Sequence, residues 1–472
     1  METKPILSPI PRPFTRPEIL IGTAGCVAIT GFVVLVQTPW LVAAALFAGI
    51  GLVAAWYGAE YIPLVLFLQL AFSVEIQITA THRLTAPTEI LIPVLFLMLA
   101  YTALRNGKIT YRPSPLNVPV TLLYFLMAAT LSYTLQPVST LKALIRDTGY
   151  IGAGYFLIPK YIQSEARLRQ TAYGILLVHT LLVMYGFVTQ LTGGLHIYGK
   201  IASPFFVEHC IYAAFVTITF AFLLAFFLDA RPGQNRFFLG ILTAMFGLAI
   251  VLTFVRAAWF SVFFLLLFYL YQFRGRKSAA DLIVVLILFT LLGLILSVTT
   301  DLGALFLQRI DTITDLQYVA NYDRLDRWSA AWNMWKDHRY LGTGWGAYPD
   351  VYFSYQVHRD AYSSMMRMGA HNIYLEIMAE TGLAGITLYL VMLYVFYRRT
   401  ILLHRAAKSG FQRVFILGLQ GAMLTYLIHA FVNNLGPSDK IGLTFWFMLG
   451  MVPTLEAIQK MEQKESAAPA AV

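Results

Sequence analysis

The chain has 472 residues, 58% hydrophobic and only 12% charged, with a formal net charge of +10 and a mean hydropathy of +0.67. A soluble protein carries about 25% charged residues, so this chain cannot cover its surface in water; a soluble globular protein is excluded and a polytopic membrane protein implied. The basic residues lie in short runs between apolar segments, which argues for membrane topology and anionic lipid and against nucleic acid as a partner.

The N-terminus, METKPILSPIPRPFTRPEIL, lacks the small-residue cleavage site of a signal peptide, so its apolar stretch reads as a retained first helix. A bilayer crossing needs about 20 predominantly apolar residues. That criterion predicts spans at 18–36, 40–57, 61–75, 88–104, 117–135, 144–160 and 171–191. Further spans follow at 208–228, 236–255, 257–272, 281–299, 373–397, 412–434 and 441–457. The expected fold is an all-α polytopic integral membrane protein of 12–14 transmembrane helices, with 14 favoured. The lower counts apply if 61–75, which is short, and 144–160, which carries Arg146 and Asp147, are half-buried. The chain divides into N-terminal helices over 1–204 and a second region over 205–472.

The positive-inside rule orients these segments. Lys4, Arg12 and Arg16 place the N-terminus in the cytoplasm, and alternate loops are then basic: Arg105, Lys108 and Arg112; Lys160, Arg167 and Arg169; Arg231 and Arg236; Arg274, Arg276 and Lys277; and Arg398 to Arg413. The turn at Glu60 departs from the pattern. Both termini are expected to be cytoplasmic, which puts the interval of about 300–372 outside, in the periplasm of a bacterium. At roughly 70 residues it far exceeds a usual connection of a few residues, so short helices are expected within it. Asp323 to Lys336 has helical spacing with Trp328, Trp332 and Trp335 on one side, as in a helix lying at the interface.

The unusual polar residues converge on the outer side. Arg256 interrupts the apolar run IVLTFVRAAWFSVFFL, where an unpaired Arg costs several kcal/mol unless it snorkels or lines a wet cavity. His209, next to Glu208, and Arg146, next to Asp147, sit at outer helix starts, where a lone His is more often a structural hydrogen-bond donor and Arg146 can simply pair with a carboxylate. Arg324, Arg327, Arg359 and Arg367 add cationic charge to the same face. The Gly342, Gly344, Gly346 spacing allows a tight turn with the backbone close to a ligand, but no strand–helix context for a nucleotide surrounds it. Several forked guanidinium groups suit a phosphate-rich substrate, and a pyrophosphate at the outer surface suggests a lipid-linked sugar. Cys26 and Cys210 form no metal or disulfide framework, and neither a metal nor a cofactor is expected.

Three segments resemble the bacterial O-antigen ligase and polymerase superfamily. RLDRWSAAWNMWKDHRYLGTGWGAYPD is similar to its Arg-x-x-x-Trp … Gly-x-Gly-x-Gly segment, and GAHNIYLEIMAETGLAGITLYL to its His-Asn … Glu-x-Gly-x-x-Gly signature. TFVRAAWFSVF resembles its Thr-x-x-Arg segment, with Val255 where Ser is frequent. The resemblance covers the C-terminal half from about residue 205. It implies a membrane glycosyltransferase at the bacterial inner membrane that uses an undecaprenyl-diphosphate-linked glycan donor on the periplasmic side. No nucleotide sugar takes part, and for the ligases no metal is required.

Carried over, the family's functional positions fall on Arg256, Arg324 and His371. The expected roles are diphosphate binding by Arg256 and Arg324, supported by Arg327, Arg146, Arg367, His209 and Trp328, and proton acceptance or acceptor positioning by His371 during inverting attack. Glu376 and Glu380 are expected to support His371 or pair with Arg367. The acceptor is lipid A-core or a growing glycan; polymerisation of O-antigen or exopolysaccharide and protein O-glycosylation are the alternatives. A lipid-linked oligosaccharide flippase is the alternative of another class. It would place its charges at the bilayer midplane rather than at one face.

Overall fold

In the computed structural model the described residues are 62–77, 83–89, 112–194, 201–230, 234–275, 319–357 and 368–467, with isolated positions between 48 and 104, at 199 and between 280 and 287. The chain enters through a short helix, α1 (Ile62–Gln69), and a turn over Leu70–Phe72. An antiparallel hairpin follows, β1 (Val74–Gln77) and β2 (Arg83–Ala86), with Val74 opposite Ala86. Val74 and Ile76 alternate with Glu75, so one face of the hairpin is buried.

Helix α2 (Asn117–Ala129) ends in a tighter turn over Thr130–Ser132. Helix α3 (Pro137–Tyr150) widens into a π-helical stretch at Ile151–Leu157 before its last turn at Ile158–Lys160. The long helices are α4 (Glu165–Gly193), α5 (His209–Asp229) and α6 (Gln234–Leu252), then the shorter α7 (Arg256–Gln272). After α8 (Val319–Asp337) come α9 (Ile373–Ala406), α10 (Gly410–His429) and α11 (Asp439–Ala467). Ser164 starts α4 by accepting the Arg167 N–H at 3.3 Å, a cap that frees the first turn from needing water.

Helix α10 packs against both α5 and α7. Its aromatic residues meet those of α5 in antiparallel order, Phe415 on Phe222 at 5.3 Å and Phe411 on Phe226 at 5.4 Å. On its other flank, Gly421 lies against Tyr269 of α7, whose hydroxyl donates to the Ala221 carbonyl of α5 at 2.7 Å. This order brings the start of α5, the start of α7 and the end of α10 to one end of the molecule.

The fourteen-span fold is not what the structure has. Among the described residues six helices are long and apolar enough to cross a membrane: α4, α5, α6, α9, α10 and α11. The chain is a polytopic membrane protein, and among the described residues fewer helices qualify than the apolar runs there suggest. The expected span at 61–75 is an eight-residue helix that turns into the hairpin. The span at 144–160 falls on the later part of α3, whose helical run continues through the π-helical stretch to Lys160. The helices at Asn117–Ser132 and Arg256–Gln272 are apolar but short; at 1.5 Å per residue they reach about 25 Å, against a hydrocarbon core of about 30 Å. The expected spans at 18–36, 40–57, 88–104 and 281–299 lie outside the described residues apart from isolated positions.

Candidate functional site

Arg256 is placed by the turn that precedes it. The Thr253 hydroxyl donates to the Ile250 carbonyl at 2.7 Å and accepts the Val255 N–H at 3.3 Å, while Phe254 takes a left-handed backbone with φ 54°. The chain thus reverses sharply and Arg256 becomes the first residue of α7, half-buried. Its Nη2 donates to Asn321 Oδ1 at 3.1 Å, tying α7 to the first turn of α8.

Helix α8 buries Asp323, Asp326, Arg327, Ala330, Ala331 and Met334, a stripe of i, i+3, i+4 spacing that packs on Tyr348, Tyr352, Ala370 and Ala379. Of its tryptophans, Trp332 is exposed and stacks against Trp335 at 4.8 Å, while Trp328 packs on Phe431 at 5.9 Å. Arg327 is 3% exposed and donates to two carbonyls, Asp323 O at 3.1 Å and Gly369 O at 3.2 Å. Burial lowers its pKa from the ordinary value, against the opposing influence of Tyr348, Asp323, Tyr352 and Glu376. Both of these hydrogen-bond partners are carbonyls rather than carboxylates, while Asp323 and Glu376 act on its charge electrostatically.

His371 follows directly on the loop that Arg327 holds. Its backbone is left-handed, φ 52°, a conformation that costs a non-glycine residue about 1–2 kcal/mol. Three contacts enforce it. The Glu376 carboxylate accepts the Ala370 N–H at 2.8 Å, the Asn372 side chain accepts the Tyr374 and Leu375 N–H groups at 3.1 Å, and the Ile373 N–H donates to the Ala430 carbonyl at 3.0 Å. The half-buried imidazole keeps a buried Nδ1 with no hydrogen-bond partner. Burial, with Arg327 and Arg324 adding to it, pushes its pKa down to about 3, so the ring is neutral at ordinary pH.

The glycine-rich segment contacts protein rather than opening a ligand cradle. Helix α9 is kinked at Gly382, φ 64°, which frees carbonyls of the preceding turn. They accept from the loop, Thr343 N–H to Ala379 at 3.1 Å and Gly344 N–H to Glu380 at 2.9 Å; in return Leu383 N–H donates to Arg339 at 2.8 Å and Ala384 N–H to Tyr340 at 3.3 Å. A Cβ at Gly342, itself at φ 72°, would stand 2.2 Å from the Glu380 carbonyl carbon. Gly344 and Gly346 press on Thr134 and Ala143 in the same way. The buried Glu380 carboxylate accepts the Tyr348 N–H at 3.0 Å, and Glu376 also accepts from Asn434 at 2.9 Å. Both glutamates hold backbone around the site.

Arg146 pairs with Asp147 through two hydrogen bonds, at 3.1 and 3.0 Å, and Asp147 also accepts the Trp345 indole N–H at 2.6 Å. Its charge is felt by Glu376 and Glu380, which places it beside the glutamates. His209 begins α5, with Nε2 3.9 Å from Cys210 Sγ, at the same end of the bundle as Arg256. Arg367 lies outside the described residues. The structure therefore brings Arg256, Arg324, Arg327 and His371 together around α8, with Trp328, Glu376 and Glu380 adjoining.

A cavity of about 370 Å3 between α2, the π-helical stretch and α11 is lined by other residues, among them Tyr124, Phe125, Tyr155, Phe156 and Gly450. It is apolar and away from this cluster. No group of three or more His, Cys, Asp or Glu residues suited to a metal ion occurs among the described residues. One residue escaped the sequence reading: His429, the last residue of α10, is 1% exposed. The available signal was a histidine ending an apolar helix, LTYLIHAFVNN.

The fold and this cluster define a polytopic membrane protein with a group of arginine and histidine residues gathered at one end of its helices. Residues 240–390 match the O-antigen ligase family, a stretch that includes Arg256, Arg324, Arg327, His371, Glu376 and Glu380 but neither Arg146 nor His209. A comparison with curated proteins finds no match.

Proposed function

We propose that the chain transfers glycan from an undecaprenyl-diphosphate-linked donor to an acceptor hydroxyl, at the periplasmic face of a bacterial inner membrane with both termini cytoplasmic. The observation that carries this reading is the meeting of Arg256, Arg324, Arg327 and the neutral His371 within the stretch that matches the O-antigen ligase family. The arginines bind the donor diphosphate and stabilise the negative charge that grows as it departs. The acceptor oxygen attacks the anomeric carbon from the opposite face, the bond from that carbon to the diphosphate oxygen breaks, and configuration inverts. His371 Nδ1 receives the hydroxyl proton. A base with a pKa near 3 is weak, but Arg324 and Arg327 contribute to that depression. A bound diphosphate offsets their charge and makes His371 more basic only when the donor is in place. No metal is assigned a part.

The test is release of undecaprenyl diphosphate by purified protein in nanodiscs, with and without lipid A-core. Release that requires lipid A-core identifies a ligase. Release with lengthening glycans and no lipid A-core identifies a polymerase. Absence of release, with donor moving across the bilayer, refutes transfer in favour of a flippase.

A further inference from the structure

His429 is buried to 1% exposure, and neither of its ring nitrogens has a hydrogen-bond partner. The Nε1–H of Trp328 and the Nδ1 of His371 are also buried without partners. These atoms belong to one neighbourhood. Trp328 packs on Phe431, two residues beyond His429; Tyr374 packs on the same ring at 6.0 Å; and the His371 loop is bonded to Ala430. Arg324 acts electrostatically on both histidines. Native proteins leave few buried polar atoms unpaired, because each costs about 1–3 kcal/mol. Four such atoms around one turn are a set of hydrogen-bonding positions that the protein itself does not fill.

The chemistry of the set selects a ligand. A phosphate accepts hydrogen bonds and would be served by donors alone. A neutral imidazole presents one donor and one acceptor, and the indole presents a donor beside an aromatic face. Hydroxyl groups, which donate and accept at once, on a ring with an apolar face fit this combination. We propose that His429, Trp328 and His371 form a recessed niche for the acceptor saccharide, in which His429 exchanges hydrogen bonds with a hydroxyl next to the reacting one. The inference rests on the transfer reading above and extends it: the arginines take the diphosphate, and this niche takes the sugar that attacks. His429 is a recognition residue here, distinct from the proton acceptor.

The experiment compares wild type, His429→Phe, His429→Gln and Trp328→Phe in nanodiscs, with undecaprenyl-diphosphate-linked glycan as donor and either lipid A-core or free glycan as acceptor. His429→Phe should raise the acceptor KM about tenfold or more, with donor KM and kcat within about twofold, as expected for loss of binding shared by ground and transition states. Its thermal midpoint should equal or exceed that of wild type, because an unpaired polar ring is replaced by an apolar one. His429→Gln, whose amide both donates and accepts, should recover most of the acceptor affinity, and Trp328→Phe should raise acceptor KM. An unchanged acceptor KM in a folded, active His429→Phe protein overturns the niche alone. So does a rise in donor KM instead, or a midpoint lowered by several degrees in both His429 variants with every kinetic constant degraded. A wild-type protein that releases no diphosphate with either acceptor defeats the transfer reading, and the niche falls with it.

Discussion

Replacing Gly382 by Ala strikes the joint between the glycine-rich loop and the kink of α9. Gly382 has φ 64°, where an L side chain costs about 1–2 kcal/mol. The added methyl would lie 2.2 Å from the Tyr340 carbonyl carbon and 2.5 Å from Leu341 N, so the loop must withdraw. Withdrawal breaks the backbone hydrogen bonds that join residues 339–344 to residues 379–384, four in number, at about 1 kcal/mol each. The combined loss is about 5 kcal/mol, a large share of the roughly 5–15 kcal/mol that holds a domain folded. Thermal unfolding of the protein in nanodiscs, followed by tryptophan fluorescence, should show the midpoint falling by about 10 °C. Glycan transfer should fall with it, because Glu376, earlier on the same helix, holds the Ala370 N–H of the His371 loop. A midpoint within about 2 °C of wild type would refute the view that this segment is a backbone clamp.

Three further outcomes follow from the site. His371 has its pKa depressed to about 3 in the fold, so the unfolded chain binds its proton near pH 6.5 and the folded one does not; stability contributed by the neutral ring is lost as pH falls below about 6.5. Relative to wild type, His371→Gln should therefore lose about 2 kcal/mol less stability between pH 7 and pH 5, measured by denaturant unfolding, and equal losses would count against the buried neutral ring. Arg256→Lys should not restore the transfer lost in Arg256→Ala, because an ammonium cannot hold Asn321 and a phosphate with a planar fork; full activity in the Lys variant removes that role. Glu380→Ala leaves the buried Tyr348 N–H without its carboxylate and should cost about 1–3 kcal/mol, read as a lower thermal midpoint, with an unchanged midpoint contradicting the assigned contact.

Hydropathy made the long helices legible and misjudged the short ones. The expected spans at 171–191 and 373–397 lie inside helices Glu165–Gly193 and Ile373–Ala406, whose polar ends extend past the apolar run, in α4 through the Glu165–Arg169 pair. Apolar content alone does not separate a crossing helix from one that stops short, which is why Arg256–Gln272 and Asn117–Ser132 were overcounted. The paired strands at residues 74–77 and 83–86 were hidden because four-residue strands carry too little periodicity to compete with a helical reading. In the site, Arg256 stands out as a costly cation in an apolar run, Arg324 and Arg327 as cations ahead of a tryptophan-rich stretch, and His371 through the family resemblance. The glycines suggest close approach to a ligand, but they press on protein instead, because sequence spacing cannot reveal which group approaches. His429 was invisible for a different reason: its significance lies in missing partners, which only a three-dimensional arrangement discloses.

The most direct measurement is the rate of undecaprenyl diphosphate release from lipid-linked glycan by wild type and by Arg256→Ala, Arg324→Ala and His371→Ala, each checked for an intact thermal transition. The account predicts that all three folded variants fall at least about 100-fold, a loss of about 2.7 kcal/mol of transition-state stabilisation apiece. Wild-type release rates in folded Arg256→Ala and His371→Ala proteins would contradict it, and would move the chemistry away from the cluster around α8.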